Sequence, residues 1–244
     1  CGFRRHGGGG SGLIRRAASG LGARAPDHLP GIARGKRARL PAPEPPTESP
    51  MTLSPSSGAV PPRYRLRLKP GRERSVLRRH PWIFSGAIKE IHGSPVEGDV
   101  VDVYDNRDTF LATGHYQPGS IAVRILSFEQ VEPDIDFFRK RIGTALKYRR
   151  SLGLIDNPVL NIFRLVHAEG DDLPGLIIDY YNGVAVMQTH SIGMYRMRKE
   201  ISEILTELPG IRLAAVYDKS EGTIPYMSGI AGVNGFLYGK SGPV

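Results

Sequence analysis

Apolar side chains along this 244-residue chain keep different rhythms in different stretches, and each rhythm predicts a different element. RYRLRLK, residues 63–69, alternates basic and apolar positions, the pattern of a half-buried strand with arginine on its wet face. RERSVLRR, 72–79, is short and charged and reads as a brief helix or turn. WIFSGAIKEI, 82–91, reads as one strand. VVDVYD, TFLATGHY and IAVRILSF then give three more, divided by turns at DNRD and QPGS. Several short strands at this spacing, with Gly, Asn and Pro between them, suggest a small barrel over 63–128 rather than a parallel sheet.

The rhythm changes at PDIDFFRKRIGTALKYRRSLGL. Asp134 is placed to cap, and Ile135, Phe138, Ile142 and Leu146 recur at helical spacing. The helix is expected over 133–153, linking the barrel to a second unit. Arg139, Lys140, Arg141, Lys147, Arg149 and Arg150 are expected on its wet side. A second unit, 160–244, follows. FRLVHAEGDDLPGLIIDYYNGVAVMQTHS holds a strand, a DDLPG turn, a strand, a hairpin turn at Asn182–Gly183 and another strand. MYRMRKEISEILTELPG is an amphipathic helix, with Met197, Ile201, Ile204, Leu205 and Leu208 on one face and Gly210 past its end. RLAAVYD is a further strand. The class is α+β: a small β-barrel, a linker helix and an incomplete β-β-β-α-β layer. YMSGIAGVNGFLYGKSGPV breaks off in mid-pattern and is expected to order poorly.

Residues 1–62 show no hydrophobic period. GGGGSG, scattered arginines and LPAPEPPTESP predict a disordered tail. The chain opens on Cys1, and Met51 stands just ahead of the first strand. Translation from Met51, with 1–50 as upstream read-through, is the expectation; an Arg-rich organellar transit peptide is the rival. Cys1 is the only cysteine, so an internal disulfide is impossible and cysteine-based zinc patterns are excluded. This fits a reducing, cytoplasmic setting. No apolar run reaches the about 18 residues that a membrane helix needs.

Charge sharpens the picture. The chain carries 33 Lys and Arg against 24 Asp and Glu, a net +9. Between 63 and 80 stand eight basic residues and one acid, Glu73, whereas 81–244 is net acidic. A concentrated patch argues for a polyanion better than a high overall pI does. Lys69, Arg72, Arg74, Arg78 and Arg79, with His80 beside them, are the candidate RNA-binding residues. A solvated turn that protects a strand edge is the plainer reading of the same charges. Trp82 could stack on a base, but with Ile83 and Phe84 behind it barrel core is the expectation. His80, before Pro81, reads as a turn residue rather than a catalyst.

Other motifs carry less. GGGGSG spells a dinucleotide fingerprint at Gly7, Gly9 and Gly12 with no strand before it. Glu169, Asp171, Asp172 and Asp179 lack the loop grammar of a calcium site, so no metal is expected. NGFLYGKS has Asn234 where a phosphate loop needs Gly. The seven histidines are scattered without ligand spacing.

LKPGRERSVLRRHPWIFSGAIKEI, followed by GDVVDVYDNRDTFLATGHYQPGSIAVRIL, resembles the N-terminal PUA domain of the large-subunit ribosomal RNA cytosine-5 methyltransferases. FRLVHAEGDDLPGLIIDYYNG resembles the opening of the central α+β domain of the same family. The likeness covers roughly 64–244, in order and spacing. It implies a pseudo-barrel that grips structured RNA, large-subunit rRNA above all, through the basic turn. It also implies an S-adenosylmethionine cofactor, held by a third, Rossmann-type domain that carries the catalytic cysteine. Neither that cysteine nor a strand–glycine loop–helix fingerprint falls within the resembling stretch. The expectation is an N-terminal fragment that binds RNA without methylating it, with no catalytic or cofactor-binding residue of its own. A stand-alone RNA-binding or ribosome-assembly module is the alternative.

Overall fold

The computed structural model describes residues 63–155, 157–225 and 229–240. The expectations for 1–62, among them the tail, GGGGSG and Met51, and for 226–228 and 241–244 lie outside the described residues.

Two sheets build the fold. The first contains β1 (Tyr64–Leu68), β2 (Trp82–Phe84), β3 (Ile88–His92), β4 (Val100–Tyr104), β5 (Phe110–Tyr116) and β6 (Ile121–Ser127). Its order is β2-β6-β5-β4-β1-β3, antiparallel except where β1 runs parallel to β4. The single strand expected at 82–91 is therefore two strands. A 3-10 turn, Ser85–Ala87, splits it, and its halves lie at opposite edges of the sheet. Flat, six strands would hold those edges about 24 Å apart. The four Cα steps from Phe84 to Ile88 reach about 14 Å at most. The sheet must therefore curl toward itself. Hydrogen bonds from both sides hold the turn: Ser85 N donates to Ser120 O at 2.9 Å, and Lys69 N to Ala87 O at 2.8 Å. Apolar residues on both sides of Ser85 and Gly86 made the stretch read as one strand, although that pair marks the break.

Leu66, Leu68, Val76, Ile83, Val101, Val103, Val123 and Ile125 pack inside the curl. The helical turn α1 (Arg74–Leu77) contributes only Val76 to that core. On β6 the alternation serves two cores. Val123 and Ile125 face the curl, whereas Leu126 packs with the second sheet's core. This strand is the wall the two share.

The second sheet runs β11-β10-β9-β8-β7, built from β7 (Ile162–His167), β8 (Leu176–Tyr181), β9 (Val184–Thr189), β10 (Ala215–Asp218) and β11 (Gly235–Gly239). β8 and β9 join at Asn182 and Gly183, which have φ of 42° and 92°, the conformation a two-residue hairpin turn requires. The link from β9 to the parallel β10 carries α3 (Ile192–Arg196) and α4 (Arg198–Thr206), so the one expected helix is two, meeting at Met197. β11 pairs antiparallel with β10, which places order where poor order was expected.

The linker helix is α2 (Ile135–Ser151). Asp134 caps it by accepting from Phe137 N at 2.9 Å. Phe138, Ile142, Ala145 and Leu146 are buried under the second sheet's core. So is Arg149, against expectation. It stands three and seven residues beyond Leu146 and Ile142, on the stripe itself. No described helix is long and apolar enough to cross a membrane.

Candidate nucleic-acid interface

The basic stretch divides into two populations. On β1, and at Arg63 just before it, each arginine is matched by acids. Arg63 pairs with Asp102 at 3.3 Å and with Glu132, and also donates to Val131 O at 2.6 Å. Arg67 pairs with Glu90 at 2.8 Å and Asp108 at 2.6 Å. Arg65 lies over the Tyr104 ring at 4.1 Å and 3.5 Å from Asp108. Asp102 itself is buried, and takes further hydrogen bonds from Thr113 Oγ1 at 2.7 Å and Gln130 Nε2 at 3.1 Å. Carboxylates thus hold Arg63 and Arg67 above the ordinary guanidinium range, against the opposing effect of burial.

The turn that follows differs. Arg72, Arg74 and Arg78 are exposed, and their side chains form no ion pair or hydrogen bond among the described residues. Arg74 and Arg78 stand four apart on one helical turn, where side chains share a face. Lys69 Nζ donates to Gly86 O at 3.0 Å, so this cation also braces the 3-10 turn. Arg79 does not join the group. Its φ is 63°, and its guanidinium lies 4.8 Å over the Phe128 ring, at a cavity of about 260 Å³ also lined by Glu129, Arg141, Glu169 and Asp172. His80 is a turn residue, as its place before proline suggested: Trp82 N donates to its Nδ1 at 3.2 Å.

Trp82 is neither free to stack nor core. It is half-buried, its indole N–H donates to Glu169 Oε1 at 2.8 Å, and Arg124 faces the ring at 5.8 Å. Glu169 also takes Arg124 Nη1 at 3.3 Å. His190 lies in this group. Burial holds it below its ordinary range, with Arg124 adding to the effect and Glu169 opposing it.

The acidic run turns out to be a set of latches. Glu169 holds Arg124, Asp171 holds Arg149, Asp172 holds Arg141 at 2.8 Å, and Asp179 holds Arg164 at 2.8 Å. Asp171 also accepts from His167 N at 2.6 Å. Among the described residues no group of three or more side chains could hold a metal ion. A further joint lies at α3, where Arg196 reaches Asp99 at 3.0 Å and Gly193 touches the His115 ring so closely that a Cβ would stand 2.3 Å from it. His115 is buried, and burial, with Arg196 adding, lowers it to about 4. The sequence offered little to reveal these joints, since Trp82 and Glu169 stand 87 residues apart. Helical spacing alone could have flagged Arg149.

Residues 66–128 match the PUA-like domain family. The chain is 41% identical over 180 residues to a Shewanella denitrificans protein named ribosomal RNA large subunit methyltransferase I, covering 72% of this chain and 44% of that protein. The Escherichia coli protein of the same name is 38% identical over 182 residues, 73% of this chain and 45% of its own length. Among solved structures, a protein described as a SAM-dependent methyltransferase from Streptococcus mutans superposes with a TM-score of 0.59 at 20% identity, over 73% of this chain and 44% of its own. At that identity the likeness is one of fold. The chain spans less than half the length of the curated relatives it matches. What stands on this footing is a PUA-like domain over 66–128, inside a longer stretch similar to proteins named as large-subunit rRNA methyltransferases.

Proposed function

We propose that this chain supplies the RNA-recognition part of an S-adenosylmethionine-dependent, cytoplasmic enzyme that methylates carbon 5 of cytosine in large-subunit rRNA. One observation supports it: three exposed arginines without side-chain partners among the described residues stand on one turn of a PUA-like domain, in a chain similar to proteins named as large-subunit rRNA methyltransferases. Cations not already held by carboxylates are the ones free to meet phosphates. A curled sheet and its packed core keep them in fixed register, so binding selects shape as well as charge.

The cofactor supplies the methyl group when bound. The described residues do not fit it. β6 leads into α2 through FEQVEPD, without glycine. β9 leads into α3 through His190 and Ser191, and the first glycine after it, Gly193, has its open side filled by His115. No position here is assigned to the cofactor or to the nucleophile that attack at cytosine carbon 6 requires. What these residues contribute is grip and orientation.

Two experiments test this. Removing the gene should abolish one 5-methylcytosine in large-subunit rRNA; an unchanged methylation map, with RNA binding intact, would leave a binding module without this chemistry. The chain itself should bind structured RNA with an affinity that falls steeply as salt rises. Binding indifferent to salt would overturn the RNA reading.

A further inference from the structure

Among the described residues β2 is an edge strand of the curled sheet, with β6 as its one neighbour in the sheet. Strand alternation turns Ile83 inward, where it is buried, and Trp82 and Phe84 the other way. His80 lies in the same row, its ring 5.9 Å from that of Trp82 and 6.0 Å from that of Phe84. Trp82 is committed at both its nitrogen and its face. Phe84 is not, and remains 49% exposed.

A lone exposed phenylalanine needs no explanation. This one has two companions that point to a ligand. The ring of His80 is fixed beside it, because Trp82 N donates to Nδ1 and His80 N donates to Ser75 O at 3.0 Å. Nδ1 also lies 3.1 Å from Trp82 O, whereas Nε2 makes no hydrogen bond among the described residues. The second companion is the cationic turn: α1 packs beside β2 and carries Arg74, with Arg78 at its end. Flat π surface next to a turn whose guanidinium groups are unpaired among the described residues is the chemistry that holds an unstacked nucleobase and its flanking phosphates.

We infer that Phe84 and His80 form a stacking platform for one unpaired base of the bound RNA. Arg72, Arg74 and Arg78 hold the phosphates on either side of it. The inference rests on the RNA-binding proposal above. It adds that the ligand must present a loop or bulge, since a base inside a duplex has no free face to offer.

Fluorescence anisotropy on the 244-residue chain separates the two ideas, using an RNA hairpin with an unpaired loop and the same stem closed as a blunt duplex. Phe84→Ala should weaken hairpin binding about 5- to 100-fold and leave duplex affinity unchanged. The salt dependence should stay as it was, and Phe84→Trp should restore the hairpin. Loss of both RNAs alike, or of neither, would overturn the platform while leaving RNA binding in place. If the unaltered chain shows no salt-sensitive binding to either RNA, the RNA proposal falls, and the platform with it.

Discussion

β1 and the turn after it carry arginine at similar density, yet the structure puts them to different uses. Arg63, Arg65 and Arg67 spend their charge on Asp102, Asp108, Glu90 and Glu132. Arg72, Arg74 and Arg78 have no such partners among the described residues. The count of basic residues between 63 and 80 therefore overstates the surface that can meet an anion. Acids that lie next to β1 in space come from positions 90, 102, 108 and 132, farther along the chain, and a running charge count cannot see them. Whether an arginine builds the fold or binds a partner is decided by who stands opposite it.

The strongest test of that division is at its buried extreme. Arg149 and Asp171 lie opposite each other with side chains 9% and 8% exposed. Asp171→Ala strands a buried guanidinium and should cost about 3–5 kcal/mol, read as a fall in thermal and denaturant midpoints. A loss below about 1 kcal/mol would mean that the pair is not a structural latch.

Next comes pH. His115 is held neutral to about 4 in the folded chain, against 6.5 for the ordinary side chain. Below pH 6.5 the unfolded chain takes up a proton that the folded chain refuses. Stability from this group is full above pH 6.5 and drains as pH falls toward 4, by about 3 kcal/mol. Denaturant titrations at several pH values should show this slope in the native chain and a shallower one in His115→Gln. Equal slopes would place the acid sensitivity elsewhere.

A smaller effect is expected at Arg63. Arg63→Ala removes one of three partners of buried Asp102, with Thr113 and Gln130 remaining, and should cost about 1–2 kcal/mol of stability with little change in RNA affinity. A large loss of RNA binding at unchanged stability would blur the line drawn between the two groups.

Much of the fold was legible because its signals are local. The short strand-like runs at 100–104, 110–116 and 121–127 with the turns between them, the Asp134 cap and the Asn182–Gly183 turn each depend on neighbours a few residues away. What was missed depends on distant partners. WIFSGAIKEI reads as one strand from the apolar residues on both sides of Ser85 and Gly86, although its halves pair at opposite sheet edges. Trp82 was expected in the core because no local feature announces Glu169. Arg78 and Arg79 were grouped by adjacency, until a left-handed backbone at Arg79 turned it toward Phe128. Of the candidate site, the position of the cationic turn was readable, but not which of its cations are free.

The most direct measurement compares two variants in one salt titration of RNA binding. Arg72→Ala, Arg74→Ala and Arg78→Ala combined should lower affinity about 100-fold at about 0.1 M salt and flatten the slope of log K against log salt by about 2 to 3. Arg65→Ala with Arg67→Ala should leave that slope as it is. If the β1 pair flattens the slope as much as the turn does, or the turn does not flatten it, unpaired charge is not what selects the RNA-binding arginines.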